Sequence, residues 1–126
     1  MKEIILTDKA PAPIGPYSHG IAVGGLIFFS GQIAIDPAVG KITATDIEGQ
    51  TVQVLSNISA LLAAASLTPA DVVKTTVFVR NMGDFAKVNA IYAQTFDREP
   101  PARSCVEVSA LPSGALVEIE IIAKRN

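Results

Sequence analysis

The chain has 126 residues, ten Lys or Arg against twelve Asp or Glu, a formal net charge of −2, 49% hydrophobic residues and 17% charged ones. A chain of this length is expected to form one domain over residues 1–126, and folding at this size withdraws roughly two-thirds of the unfolded surface from water. With no basic run and a slightly acidic balance, little attraction is left for a phosphate backbone, so nucleic acid is not an expected partner. The apolar run Ile4, Ile5, Leu6 is too short for a signal segment and "ALLAAASL" is too short for a membrane span, so no membrane association is expected either. Cys105 is the only cysteine, which rules out an intrachain disulfide and fits a reducing cytoplasm.

In chain order, "APAPIGPY" reads as an extended lead-in to a hairpin. In "YSHGIAVGGLIFFSGQ", Gly24-Gly25 lies between two apolar runs and supplies the positive φ that a tight turn demands. A two-residue loop there pairs Val23 with Leu26 and His19 with Ser30. "TATDIEGQTVQVLSNISALLAAASL" has helical spacing, with Ile47, Leu55, Ile58, Leu62 and Ala65 on one stripe and Thr51, Val54 and Leu61 beside it. Thr45 and Glu48 are spaced as a capping box. "LTPADV" reads as a short helical turn capped by Thr68, with Pro69 at its first position. Val72 to Arg80 is rich in β-branched residues and reads as a strand. "DFAKVNAIYAQTF" returns to helical spacing through Phe85, Val88, Tyr92 and Phe96. "ARSCVEVS" and "ALVEIEIIAK" then form two strands joined at Pro112-Ser113-Gly114.

The order is β, β-hairpin, α, β, α, β, β, an α+β arrangement in which two helices cover one face of a sheet. "LIFFS", "VVKTTVFVR" and "VEIEIIA" carry apolar groups at both parities, so the opposite face is expected to be covered as well, by further copies of the chain.

Strand alternation puts Arg103, Cys105 and Glu107 on one side, and Glu118 and Glu120 together on one side of the last strand. The two strands are read as neighbours, each offering a mixed polar face. A charge on such a strand must be paired or meet a ligand, because leaving it desolvated costs several kcal/mol. Arg103 has the planar fork that grips a small carboxylate, and Glu118 can hold or deprotonate a water. Against this stands a structural reading, which spacing alone favours: Arg103, Glu107, Glu118 and Glu120 as cross-strand or inter-subunit ion pairs.

His19 opposite Ser30 brings a base near a hydroxyl, but no GxSxG elbow or nearby acid completes a nucleophilic triad, so a polar cross-strand pair is the preferred reading. Cys105 reads as a small buried apolar group rather than an activated thiol. One His and one Cys assemble no transition-metal site, and phosphate-cradling glycine motifs are absent. Gly31 in "FSGQ" marks either a bulge or a place where a ligand nears the backbone.

Taken together, "APAPIGPYSHG", "FFSGQIAIDP", "VVKTTVFVRNMGDFAKVNAIYAQTF", "PPARSCVEVSALP" and "VEIEIIAKR" resemble the RidA family, also called YjgF, of enamine/imine deaminases, over nearly the whole chain. The resemblance implies a chorismate-mutase-like α+β fold, with a mixed sheet carrying two helices on one face. It also implies a homotrimer whose sheets form a central β-barrel, with sites in clefts between neighbouring subunits. The implied reaction is hydrolysis of 2-iminobutanoate and 2-iminopropanoate to 2-keto acids and ammonia, without a cofactor, as control of reactive metabolites in the cytoplasm. By position, Arg103 binds the substrate carboxylate and Glu118 holds the attacking water, while Tyr17, Gly31, Asn89 and Cys105 line the pocket. Two other readings stay open. One is a non-catalytic trimer that binds keto acids or regulates a partner, which needs Arg103 but not Glu118. The other is endoribonuclease activity, attached to some family members, against which the acidic balance and single histidine weigh.

Overall fold

The computed structural model describes residues 1–125. Strand β1 (Glu3–Ile5) pairs antiparallel with β2 (Gly20–Val23), which turns through Gly24 at φ 59° into β3 (Leu26–Gln32). Val23 pairs with Leu26, and the Ser30 N–H donates to the His19 carbonyl at 2.9 Å, so the hairpin has the register that a Gly24-Gly25 loop requires. A small hairpin of β4 (Ile35–Asp36) and β5 (Lys41–Ile42) follows, closed by Gly40 at φ 82°.

Helix α1 (Ile47–Ala64) begins one residue later than the Thr45 capping box would place it. Asp46 is the cap, its carboxylate accepting from the Gly49 N–H at 2.9 Å, because Asp is at least as good a cap as Thr and here stands directly before the first apolar position. The helix buries Ile47, Thr51, Val54, Leu55, Ile58, Leu61 and Leu62 along the expected stripe. It closes with Ser66 at φ 61°, whose N–H reaches the Ala63 carbonyl while that of Leu67 reaches Leu62. A short turn at Pro69–Asp71 leads into β6 (Val72–Val79), and a second turn at Met82–Asp84 leads into α2 (Phe85–Thr95). Strand β7 (Ala102–Glu107) and strand β8 (Val117–Lys124) complete the chain.

The six-stranded sheet runs β1-β2-β3-β8-β6-β7. It is mixed: β7 pairs parallel with β6 and the other ladders are antiparallel. Ile27, Phe29, Val77, Val79, Ile119 and Ile121 point to one face and meet α1 and α2 in the main core. Each such aliphatic side chain removed from water contributes about 1.5–3 kcal/mol, which drives the helices onto this face.

One expectation is corrected. Strands β7 and β8 are not neighbours, because β8 lies between β3 and β6 and β7 bonds only to the far edge of β6. Helix α2 is the crossover that makes β6 and β7 parallel, and β8, arriving last, fills the remaining place beside β6. No helix among the described residues is long and apolar enough to cross a membrane.

Candidate active site

On the sheet face away from the helices, β3 carries an irregularity between Phe29 and Gln32, where three residues of β3 advance against two of β8. Gly31 lies in this bulge. A Cβ there would run into Glu118 Oε2, so the absence of a side chain at position 31 is what lets the Glu118 carboxylate lie against β3. The bulge reading of Gly31 holds, and what nears its backbone within the chain is the Glu118 carboxylate. Burial pushes the Glu118 carboxyl above the ordinary glutamate range, and the neighbouring Glu120 charge adds to the rise.

Glu118 borders a pocket of about 330 Å³ walled by Gly31, Tyr17, Ile14, Ile33 and Pro112 among others. Tyr17 is 44% exposed, and its hydroxyl accepts from the Ile14 N–H at 3.2 Å. Asn57, buried on α1, donates to the carbonyls of Ile33 (3.2 Å) and Ile35 (2.9 Å) and so fixes one wall of the pocket to the core. His19 holds another part of the lining. Its ring is 2% exposed, Nδ1 accepts from the Thr7 N–H at 3.1 Å, and Nε2 donates to the Pro11 carbonyl at 2.7 Å. Because Nδ1 accepts, the ring N–H is the one on Nε2. Ser30 Oγ donates instead to the Ser18 carbonyl at 2.6 Å. His19 and Ser30 are therefore opposite each other in register without a bond between their side chains.

Arg103 lies on the other face. Its register partner is Thr75, which is fully buried beneath α2, so the guanidinium is directed to the helical side. There Nη1 donates to Asn89 Oδ1 at 2.7 Å, and the guanidinium carbon stands over the rings of Tyr92 and Phe85 at 4.9 and 5.4 Å from their centroids. The Tyr92 hydroxyl is 2.7 Å from Thr75 Oγ1. Burial raises the Tyr92 phenol, offset in part by the Thr75 bond and the Arg103 charge. Cys105, two residues on and half-buried against the core, has its thiol pushed up by burial, partly countered by Arg103, which agrees with an unactivated side chain.

The six residues singled out in the sequence thus fall into two groups. Tyr17, Gly31 and Glu118 are together at the pocket, while Arg103, Asn89 and Cys105 are together at the β7 edge. Within the chain the cross-strand ion pairs do not form: among the described residues the salt bridge is Arg125 to Glu3 at 3.3 Å, and Glu107 accepts from the Met82 N–H at 2.7 Å. Phe85 and Tyr92 mark helical spacing in the sequence, and their contact with Arg103 is not anticipated there. The signal was present, since residues 85, 89 and 92 have i, i+4, i+7 spacing and share a helix face.

A family model described as endoribonuclease L-PSP matches residues 7–125. A RutC family protein of Pyrococcus horikoshii is 54% identical over 126 residues, covering 100% of both chains. A 2-iminobutanoate/2-iminopropanoate deaminase of Salmonella typhimurium is 48% identical over 129 residues, again covering 100% of both. The crystal structure of E. coli TdcF with bound serine superposes with a TM-score of 0.92 at 43% identity, covering 98% of this chain and 99% of that one. Whole-length identity at this level, on the same α+β fold with a mixed sheet and two helices, places the chain in the endoribonuclease L-PSP family, the group of the RidA, YjgF and RutC proteins.

Proposed function

We propose that this protein hydrolyses reactive 2-imino acids, with 2-iminobutanoate and 2-iminopropanoate as the reference substrates, to 2-keto acids and ammonia. The observation that carries the reading is Arg103: a guanidinium anchored by Asn89, without a carboxylate partner among the described residues. Arginine offers five donors in a fork that matches a carboxylate, and Asn89 engages one nitrogen of it. The deaminase of Salmonella typhimurium, nearly half identical over its full length, supports the same chemistry.

In the proposed reaction the substrate carboxylate docks on Arg103. A water held by Glu118 gives a proton to the Glu118 carboxylate, and the water oxygen bonds to C2 of the imine while the C=N electron pair moves to nitrogen. Glu118 returns that proton to nitrogen to give the neutral carbinolamine, then takes the proton of the new hydroxyl and passes it to nitrogen, so the C2–N bond breaks as the C2=O bond forms, ammonia leaves and the keto acid remains. An upward-shifted glutamate suits the role, because it accepts and returns a proton more readily near neutral pH than an ordinary one. Imines already hydrolyse in water, so positioning and electrostatics suffice without a cofactor.

Arg103 and Glu118 face opposite sides of one sheet, so the site we propose is built between copies, Arg103 of one meeting Glu118 of the next. A homotrimer with the sheets closing a central barrel would provide this, and it would also cover Ile4, Leu26, Phe28 and Val106, which stand exposed on the face away from the helices. A cytoplasmic setting is proposed with it.

The bound serine in E. coli TdcF favours a second reading, a module that binds amino-acid-like carboxylates without turnover. RNA cleavage is not proposed: the single imidazole is buried with both nitrogens engaged, leaving none to move a proton for a ribose hydroxyl. The test couples a threonine dehydratase to the purified protein and traps the released imine with semicarbazide. Wild type should suppress trapping and Arg103→Ala should not. Glu118→Gln should still bind the carboxylate but no longer suppress trapping, and wild type that binds it without suppressing trapping would leave only the binding module.

A further inference from the structure

An arginine on an edge strand ordinarily samples many rotamers, and a ligand that captures it must overcome that freedom. In this protein one face of α2 removes it. Asn89 takes Nη1 at 2.7 Å while the rings of Phe85 and Tyr92 lie beneath the guanidinium. Tyr92 is in turn fixed by Thr75, which is the register partner of Arg103 in β6, and by the Phe96 ring at 4.7 Å between centroids. Arg103 is therefore tied through α2 back to the strand beside it. A cation over aromatic faces is held electrostatically, and such contacts leave the N–H edge of the guanidinium available.

We propose that Phe85 and Tyr92 are positioning residues that hold the Arg103 guanidinium rigid before any ligand arrives, so that this face of α2 sets the affinity for α-keto and α-imino carboxylates. The inference rests on the reading of Arg103 as a carboxylate clamp. It concerns residues that touch Arg103 rather than the substrate.

The test uses the full chain, with nitrogen-15 relaxation of the Arg103 Nε–H group and calorimetric binding of 2-oxobutanoate. Three variants are compared: Phe85→Leu at a position 38% exposed, Thr75→Val with Tyr92→Leu, and Thr75→Val with Tyr92→Phe. Changing Thr75 together with Tyr92 avoids stranding a buried hydroxyl. The two leucine variants should make Arg103 mobile and raise Kd for 2-oxobutanoate about tenfold, with KM for the imine rising more than kcat falls. The phenylalanine variant, which retains the ring, should recover order and most of the affinity. If Arg103 stays equally ordered and Kd is unchanged in the leucine variants, the proposal is overturned. If wild type does not bind 2-oxobutanoate, the clamp reading fails, and the ordering role of Phe85 and Tyr92 still stands or falls on the relaxation data.

Discussion

Arg103 and Glu118 stand on opposite faces of the same sheet, with β6 between their strands. Arg103 pairs with Thr75, whose side chain is buried under α2, whereas Glu118 pairs with Phe78, the position between the core residues Val77 and Val79. A side chain cannot pass through a hydrogen-bonded sheet, so one copy of the chain cannot bring both groups to one small substrate. Mixed assemblies test this directly. Arg103→Ala and Glu118→Gln chains, each inactive alone, should regain activity when co-assembled, at about a quarter of the sites if subunits mix randomly, because the proposed head-to-tail site would draw its two halves from different copies. Co-assembled material with no activity above either parent would place the reaction within one chain or elsewhere.

Gly31 offers a change that is local to the carboxylate. Gly31→Ala would put a methyl group where Glu118 Oε2 lies, and the flexible end of the glutamate would swing aside. Deamination should fall by at least roughly tenfold, the loss expected when a general base is misplaced, with little change in melting temperature. Unaltered kcat/KM in a protein shown by crystallography to have a displaced Glu118 would remove that residue from the mechanism.

The pH profile carries a sign that can be worked out. Glu118 acts as a base only when ionised, and its folded carboxyl lies above the ordinary range, so the acid limb of kcat/KM should lie higher than an unperturbed glutamate would set it. Glu120→Gln removes the like charge that contributes to the rise, and the limb should move to lower pH. For stability the same shift works the other way: the protonated form is favoured by folding, so this group's contribution is present at low pH and is lost as pH rises through the folded value. A limb that moved upward in Glu120→Gln would contradict the assignment.

At the end of α1, Ser66 occupies a left-handed conformation in a position that glycine fills at least cost. Ser66→Gly should stabilise the fold by about 1 kcal/mol, the order of the penalty for a side chain in that region. Urea denaturation reads it as a higher midpoint with unchanged slope. A lower midpoint would mean that the serine side chain contributes more than its backbone strain costs.

Much of the architecture was legible because it depends on short-range rules. The Gly24-Gly25 turn fixed the pairing of His19 with Ser30, period-two alternation sorted Arg103, Cys105 and Glu107 to one side, and 3.6-residue periodicity marked both helices. The helix start was harder, since Thr45 and Asp46 both qualify as caps and only the packing of Ile47 decides between them. Residue chemistry alone also identified Arg103 and Glu118 as groups that need a partner. Strand order lay beyond these rules. Pairing β8 with β6 instead of β7 depends on how α2 crosses over the sheet and on which edge remains free for the last strand, contacts between residues far apart in the chain. That long-range choice put the arginine and the glutamate on opposite faces, brought Phe85 and Tyr92 under the guanidinium, and left Glu118 against the bare backbone of Gly31.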